Sequence, residues 1–246
     1  MDGLGFVVTF FVTLCASVLS GAAGGGGGFV TTPYWLLIGM TPAQGAGTGA
    51  CMATGMSMSS AAAFRRACYT ARGGRLTLAL LVATLFGSLL GIWLVPHIPM
   101  QPFRYSMGVI AIVALPLLFR KPGGALPRPR HHRIGGACAA GLAIVGSIMP
   151  SSAFSLLFTI VLIRFFSLSV LEATSLRRVT GIVQSVVLCV GFAAQDHVVW
   201  QHAAVGLLGG GIGSYIGTRY AIKKGEQFAT YTLAGVSLVG GVALLI

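Results

Sequence analysis

The sequence predicts an all-α polytopic membrane protein made of two inverted-topology repeats, with about five membrane segments in each. Of its 246 residues, 55% are hydrophobic and only 8% are charged, whereas soluble domains carry about 25% charged residues. The apolar residues form long blocks separated by short polar joints, which is typical of helical membrane proteins. The two halves also carry matching residues at a constant shift in sequence, whereas equivalent loops of the two halves differ in their number of basic residues.

Two of the apolar blocks are too short to span a membrane, and each follows a break. Block 29–40 follows glycines 24–28, and block 153–166 follows the Met-Pro-Ser-Ser break at 149–152. Short, interrupted segments at matching places in two halves are typical of a transporter's binding site. We interpret the first block as a retained membrane segment, since no basic residue precedes it. The blocks lie at 4–22, 29–40, 43–63, 76–95, 103–119, 134–149, 153–166, 168–190, 202–218 and 229–246.

A constant shift of 126 residues aligns the two halves and indicates an internal duplication, because Thr48 falls on Thr174 and Gly87 on Gly213. The halves then cover 1–120 and 134–246, on either side of a basic linker at 121–133. The other matched positions are Thr54-Gly55 with Thr180-Gly181, Ser59 with Ser185, Ser88 with Ser214, Gly91 with Gly217, Gln101 with Gln227, and Tyr105 with Tyr231.

Equivalent loops of the two halves differ in charge. Loop 64–75 holds four arginines while its partner 190–201 holds no Lys or Arg, and loop 96–102 holds none while 219–227 holds three basic residues. Basic loops lie on the cytoplasmic side, so equivalent loops lie on opposite sides and each half crosses an odd number of times. The stretch RKPGGALPRPRHHR at 120–133 predicts a non-helical cytoplasmic loop.

The sequence predicts neither an enzyme nor a metal protein. The five cysteines are an odd number without CxxC spacing, which argues against a disulfide framework and a metal site. The histidines are not at metal spacing, and no Ser/His/Asp set or carboxylate pair is recognisable. We therefore expect no cofactor. We assign the net charge of +12 to cytoplasmic loops rather than to a nucleic-acid partner.

Arg177 and Arg178 are the leading candidates for a substrate site. They lie about ten residues into block 168–190, where a charge costs about 3 kcal/mol on insertion scales. Such residues face a polar cavity, a partner or a substrate. The alternatives are an ion pair with Glu172 or a helix that starts later than block 168–190. Glu172 itself either holds an arginine in place or carries a proton.

The breaks and the repeated hydroxyls complete the predicted substrate site. Gly25, Gly26 and Gly27 either allow close helix packing or leave backbone N–H groups free beside the positive end of a half-helix. Ser151 and Ser152 occupy the equivalent place in the second half and are good N-caps. Hydroxyls bind anion oxygens but also satisfy helix carbonyls. The hydroxyl candidates are Thr48, Thr174 and Ser175.

The stretch 21–49, GAAGGGGGFVTTPYWLLIGMTPAQGAGTG, resembles the signature of the TauE/SafE family of membrane permeases. Its glycine block, Pro33, the Gly-x-x-Pro turn at 39–42 and the Gly-Thr pair ending at Thr48 carry the resemblance. The second half departs from that pattern, with a Pro-Ser-Ser break and the Arg pair. The resemblance implies a secondary transporter for sulfite, sulfoacetate or other organosulfonates, coupled to the proton gradient.

The sequence therefore favours a multi-pass exporter of small sulfur-containing anions in the bacterial inner membrane, working by alternating access. Its expected partners are the anion, the lipid bilayer and protons, and an oligomer is left open. Two alternatives remain. A cation or metal transporter requires acidic, His or Cys ligands in the membrane. A non-transporting accessory subunit requires a contact surface and no central polar site.

Overall fold

A computed structural model describes residues 3–25, 27–67, 74–94, 129–148, 152–166 and 168–245. Within these ranges the chain forms nine helices and no strand. The predicted segment 103–119 lies outside them. The helices are α1 (Gly3–Ala23), α2 (Gly28–Leu37), α3 (Pro42–Arg66), α4 (Gly74–Leu94), α5 (Pro129–Ile148), α6 (Ser152–Phe166), α7 (Val170–Ala193), α8 (Trp200–Lys224) and α9 (Glu226–Leu245).

Three of the described helices are long and apolar enough to cross a membrane. They are Gly5–Ala23, Gly74–Leu94 and Val170–Ala193. Large apolar side chains such as Phe86 and Trp93 are exposed on α4, as expected of a surface that faces lipid. The two short segments predicted after the breaks are present as α2 and α6. The fold is thus that of a helical multi-pass membrane protein.

Local backbone and capping chemistry determines where α1 ends at the first break and where α3 and α7 begin. Gly24 takes a positive φ of 73°, a conformation that ends helices and favours glycine. Helices α3 and α7 begin with the same capping box, Thr41 with Gln44 and Ser169 with Glu172, in which each side chain bonds the backbone N–H of the other residue. Helices α3 and α7 therefore begin with the same capping device.

The predicted non-helical linker is wrong at its C-terminal end, because α5 already begins at Pro129. Proline suits the first position of a helix, where its missing N–H has no intrahelical partner to lose. The basic residues that follow it therefore belong to the helix. Residues 121–128 lie outside the described part of the chain.

The packing gives the direction of each helix. Helices α1, α3 and α8 run parallel to one another, whereas α7 runs antiparallel to α3, and α4 and α5 run in the direction of α7. The contacts are Thr9–His202 and Val18–Gly217 for α1 with α8, Met52–Gly206 and Ser60–Ser214 for α3 with α8, Gly47–Phe192 and Ser57–Gly181 for α3 with α7, Ile92–Gly191 for α4 with α7, and Gly87–Ile144 for α4 with α5. Leu80 of α4 lies in one apolar cluster with Leu176 of α7 and Ala139 of α5, which fixes the direction of the last two pairs.

These directions collect basic residues at one end of the helices. Helix α3 ends at Arg65 and Arg66, and the parallel helix α8 ends at Lys223 and Lys224. Helix α4, which runs the opposite way, has Arg75 in its first turn. We call this the basic end. The turn before α8 lies at the other end, which we call the distal end.

A disulfide joins Cys51 of α3 to Cys189 of α7, with 5.1 Å between the Cα atoms. The prediction that the cysteines form no disulfide is therefore wrong for this pair. The two residues are 138 positions apart, and only the antiparallel packing of α3 on α7 brings them together. The number and spacing of cysteines carry no information about such a contact.

We expect alkylation of the denatured protein without reductant to modify Cys15 and Cys138, which are free, and to spare Cys51 and Cys189. Reduction before alkylation should make the latter two reactive, because only the thiolate form is a nucleophile. Peptide mass spectrometry after each treatment distinguishes the two states. Modification of Cys51 without reductant would contradict the pairing.

Candidate functional site

The first break lies directly against α7. At Gly24, a Cβ atom would lie 2.5 Å from Oγ1 of Thr174 and 2.7 Å from its Cγ2. The chain can therefore approach α7 here only because this residue has no side chain. Gly25, which follows, is also buried, and Gly26 lies outside the described residues. The break and the Thr174 hydroxyl predicted for the site are thus neighbours.

Arg178 extends from α7 to the last turn of α1. It is only 5% exposed, and its Nη2 donates to the Ser20 carbonyl at 2.6 Å and to the Ser20 hydroxyl at 3.3 Å. Carbonyls of a last helical turn lack intrahelical partners, and a cation there interacts favourably with the helix dipole. Arg178 therefore has a structural role in holding the end of α1.

That role uses only part of the Arg178 guanidinium. Its Nε is buried and has no hydrogen-bond partner among the described residues. Burying a donor without a partner lowers the stability of the folded protein by about 1–3 kcal/mol. Such groups are therefore rare, and each calls for an explanation such as a functional role. The guanidinium of Arg178 is thus fixed by Ser20 and still has a donor to offer.

The beginning of α2 adds a second positive feature. Helix α2 starts at Gly28, and Gly27 before it makes no side-chain cap. A Cβ on Gly27 would lie 3.0 Å from Cβ of Ser20 and 3.3 Å from Met56, so this helix end lies beside the residue that binds Arg178. Free N–H groups and the dipole make a helix N-terminus favourable for anions.

Three other predicted residues of α7 adjoin Thr174 and Arg178 along the helix. Ser175 is buried and adjoins Thr174, and Arg177 is half-buried beside Arg178. Glu172 accepts a hydrogen bond from the Ser169 backbone N–H at 3.0 Å, so its carboxylate caps α7. The structure therefore places five residues of the predicted set on the first turns of one helix.

Thr48 lies far from this group. Its Oγ1 accepts a hydrogen bond from the Val199 backbone N–H at 3.1 Å, and the adjacent Gly47 packs on Phe192. An α-helix rises about 27 Å between Thr174 and Phe192, so Thr48 belongs to the distal end. Ser151 lies outside the described residues, and the side chain of Ser152 is not among those described.

Ser20, the partner of Arg178, was not predicted from the sequence. It is one of several serines near the end of an apolar block, and only the packing of α1 on α7 distinguishes it. His202 was set aside with the other histidines for want of metal spacing, yet it is 2% exposed. The sequence did indicate a special environment for His202, because a histidine at the start of an apolar block is costly to bury unless it has a partner.

The described residues contain no group of three His, Cys, Asp or Glu side chains arranged to hold a metal ion. The polar groups in contact at the first break are the Arg178 guanidinium and the hydroxyls of Ser20 and Thr174, whereas the Glu172 carboxylate caps α7. Guanidinium and hydroxyl groups bind anion oxygens.

Comparison with known proteins gives one match. A family model described as "Sulfite exporter TauE/SafE" matches residues 9–244, nearly the whole chain. Neither the curated proteins nor the solved structures include a significant match.

Proposed function

Because the chain belongs to the sulfite exporter TauE/SafE family, we propose that it is a secondary transporter that exports sulfite, sulfoacetate or related organosulfonates in exchange with protons. Its site is the basic-end group around Arg178. Family membership supports export of a sulfur-containing anion, and the donors around Arg178 are suited to an oxyanion.

The observation that carries the proposal is the fixed, buried guanidinium of Arg178 beside the first break. Three features favour an oxyanion there: a planar cation that matches paired oxygens, nearby hydroxyls of Ser20 and Thr174, and the positive end of α2. Arg177, Ser175 and the backbone of Gly25–Gly27 complete the proposed contacts. In a low dielectric a charge this deep is costly, and a bound anion offsets the cost.

Alternating access follows from an inverted repeat, which we propose for the halves 1–120 and 134–246. The equivalent helices α3 and α7 run antiparallel and begin with the same capping device. On this proposal Thr48, Ser151 and Ser152 form the counterpart of the Thr174 region at the distal end. Rocking of one half against the other opens the path first to one side and then to the other.

The orientation also follows from charge. Basic residues concentrate at one end of α3, α4 and α8, and basic segments stay in the cytoplasm. We therefore place the basic end, and with it the Arg178 group, toward the cytoplasm of a bacterium. An exporter binds its substrate from that side.

Flux in liposomes tests the proposal. Purified protein should transport sulfite, sulfoacetate or taurine with saturable kinetics and in preference to sulfate and phosphate, at an alkaline pH that keeps sulfite fully ionised. Arg178→Gln should lower the flux at limiting substrate by about tenfold or more, because hydrogen bonds to charged groups contribute about 1.5–3 kcal/mol. Arg177→Gln should also lower it, by less, because that residue is less buried.

Arg219→Gln is the matched control, because Arg219 is exposed near the basic end and lies 5.7 Å from the Tyr215 ring. It should leave the flux unchanged while removing the same charge. If the folded wild-type protein moves none of these anions, the cation-transporter or accessory-subunit alternative replaces the proposal. If Arg178→Gln transports anions as well as Arg219→Gln, Arg178 only holds the end of α1 and does not bind the anion.

A further inference from the structure

A second buried polar group lies near the distal end, between α1, α2 and α8. His202 and Trp35 are each only 2% exposed. The hydroxyl oxygen of Thr9 lies 2.6 Å from the Tyr34 hydroxyl and 3.0 Å from Nδ1 of His202. The rings of Trp35 and His202 meet edge to face, with centroids 6.2 Å apart. We call these four residues the distal cluster.

The hydrogen bonds of Thr9 determine the tautomer of His202. The Thr9 hydroxyl donates its one hydrogen to the Gly5 carbonyl, 2.8 Å away, because a carbonyl can only accept. The remaining bonds to Thr9 must then be donated by the Tyr34 hydroxyl and by Nδ1 of His202. All three bonds form together only if Nδ1 carries a hydrogen. In neutral His202, Nε2 therefore carries a lone pair.

Nε2 of His202 is buried and has no hydrogen-bond partner within the described part of the chain, and the same is true of Nε1 of Trp35. Two orphaned nitrogens on adjoining rings are costly to bury. A lone pair at Nε2 can take up a proton, after which both ring nitrogens are donors. The Nδ1 bond to Thr9 is kept in either state.

The surroundings leave His202 as the group suited to bind a proton at this place. Among the described residues, α2 contributes the Tyr34 phenol, which bonds the same Thr9 hydroxyl as His202. On α3, Cys51 packs in one apolar cluster with Ala203 and is held in the disulfide. The exposed Asp196 and the half-buried His197 lie in the turn before α8. Helix α1 contributes Thr9 and Phe6, which do not titrate.

Helix α2 connects the distal cluster to the Arg178 group. It begins at Gly28, beside Ser20, and carries Tyr34 and Trp35 in its last turn. The negative end of its dipole therefore lies toward His202, where it favours an imidazolium, and its positive end lies toward Arg178. A shift of this one short helix changes both groups together.

We propose that the Nε2 lone pair of His202 is the binding site of the coupling proton, and that α2 transmits its protonation to the anion site. This rests on the proposed function, which it deepens by naming the residue that couples proton movement to anion movement. Hydronium gives its proton to the Nε2 lone pair, which forms an N–H bond and leaves water, while the Nδ1 bond to Thr9 is kept. The proton leaves from the same atom when the cluster faces the other side.

Transport by the full-length protein in liposomes gives the first test. The probe is sulfoacetate at pH values where it is fully ionised, so that it carries no proton itself, with the membrane potential clamped by potassium and valinomycin. One pH unit should drive about tenfold accumulation if one proton moves per anion, with matching proton movement seen by an entrapped dye. His202→Gln should abolish both the accumulation of sulfoacetate and the proton movement. Exchange of sulfoacetate across the membrane at equal pH should persist. His197→Gln is the control and should retain both.

Tryptophan fluorescence of the purified protein gives a test that does not need transport. Protonation of His202 beside Trp35 should quench part of the emission on acidification. His202→Gln and Trp35→Phe should each remove that transition, and His197→Gln should keep it. If His202→Gln does not fold, the comparison of wild type with Trp35→Phe decides the outcome.

The outcomes separate the two proposals. Sulfoacetate flux that ignores a pH gradient, or a His202→Gln protein that still accumulates the anion, overturns the coupling role of His202 and leaves anion transport standing. Absence of any anion flux overturns the proposed function. In that case the fluorescence change on acidification still decides whether His202 binds a proton. If the change persists in His202→Gln, proton binding at His202 is overturned; if it is lost, proton binding is supported.

Discussion

Gly24→Ala is expected to lower the free energy of unfolding by several kcal/mol and to abolish anion flux. Two separate costs act at this residue. Its φ of 73° disfavours any residue with a Cβ by about 1–2 kcal/mol. The new methyl group would also lie 2.5 Å from Thr174 Oγ1, and overpacking of this kind costs about 1–3 kcal/mol. Relief of the clash moves α1 away from α7, and with it Ser20 from Arg178.

Gly39→Ala separates the two costs. Gly39 also has a positive φ, of 86°, but a Cβ there would meet nothing within 4 Å. In this variant the free energy of unfolding should fall only by the cost of a Cβ at a positive φ, about 1–2 kcal/mol, and the anion flux should be kept. Thermal unfolding of the two purified variants, followed by fluorescence, measures the difference. Equal losses of stability would show that the contact of Gly24 with Thr174 is not tight.

The helices could be predicted because their signals are local. Glycines 24–28 interrupt an apolar run, and α1 does end at Ala23, with α2 beginning at Gly28. The short segment predicted at 153–166 is α6, Ser152–Phe166. The prediction failed at Pro129, where the composition of the linker suggested a loop. Proline allows a helix to begin even though it prevents one from continuing.

The site could be predicted only in part, because its geometry comes from contacts between distant helices. The cost of burying a charge singled out Arg177 and Arg178 together, and only the structure distinguishes Arg178 by its contact with Ser20 next to the break. Its partner Ser20 depends on how α1 meets α7. Thr48 and Thr174, which match in sequence, lie far apart, because α3 runs antiparallel to α7 and brings Thr48 next to the C-terminal end of α7, near Phe192. The distal cluster likewise has its members on three helices.

The packing of α1 on α8 positions Ser20, and it depends on glycines with no space for a side chain. A Cβ on Gly217 would overlap the Val18 carbonyl and lie 2.9 Å from the Ala22 backbone nitrogen. Small residues at such contacts let helix backbones approach closely, which drives association in membranes. Helices α1 and α8 can therefore be separated by a single methyl group at this position.

We expect Gly217→Ala to destabilise the protein by about 1–3 kcal/mol, the cost of overpacking, and to lower anion flux as the last turn of α1 moves away from Arg178. Gly235→Ala is the matched control on α9, where a Cβ would meet nothing within 4 Å. Alanine favours a helix interior over glycine by about 1 kcal/mol, so this variant should gain stability. Thermal unfolding should therefore show a loss of stability for Gly217→Ala and a gain for Gly235→Ala, which distinguishes overpacking from helix propensity. A gain of stability for both variants would mean that α1 and α8 are less closely packed than the contact implies.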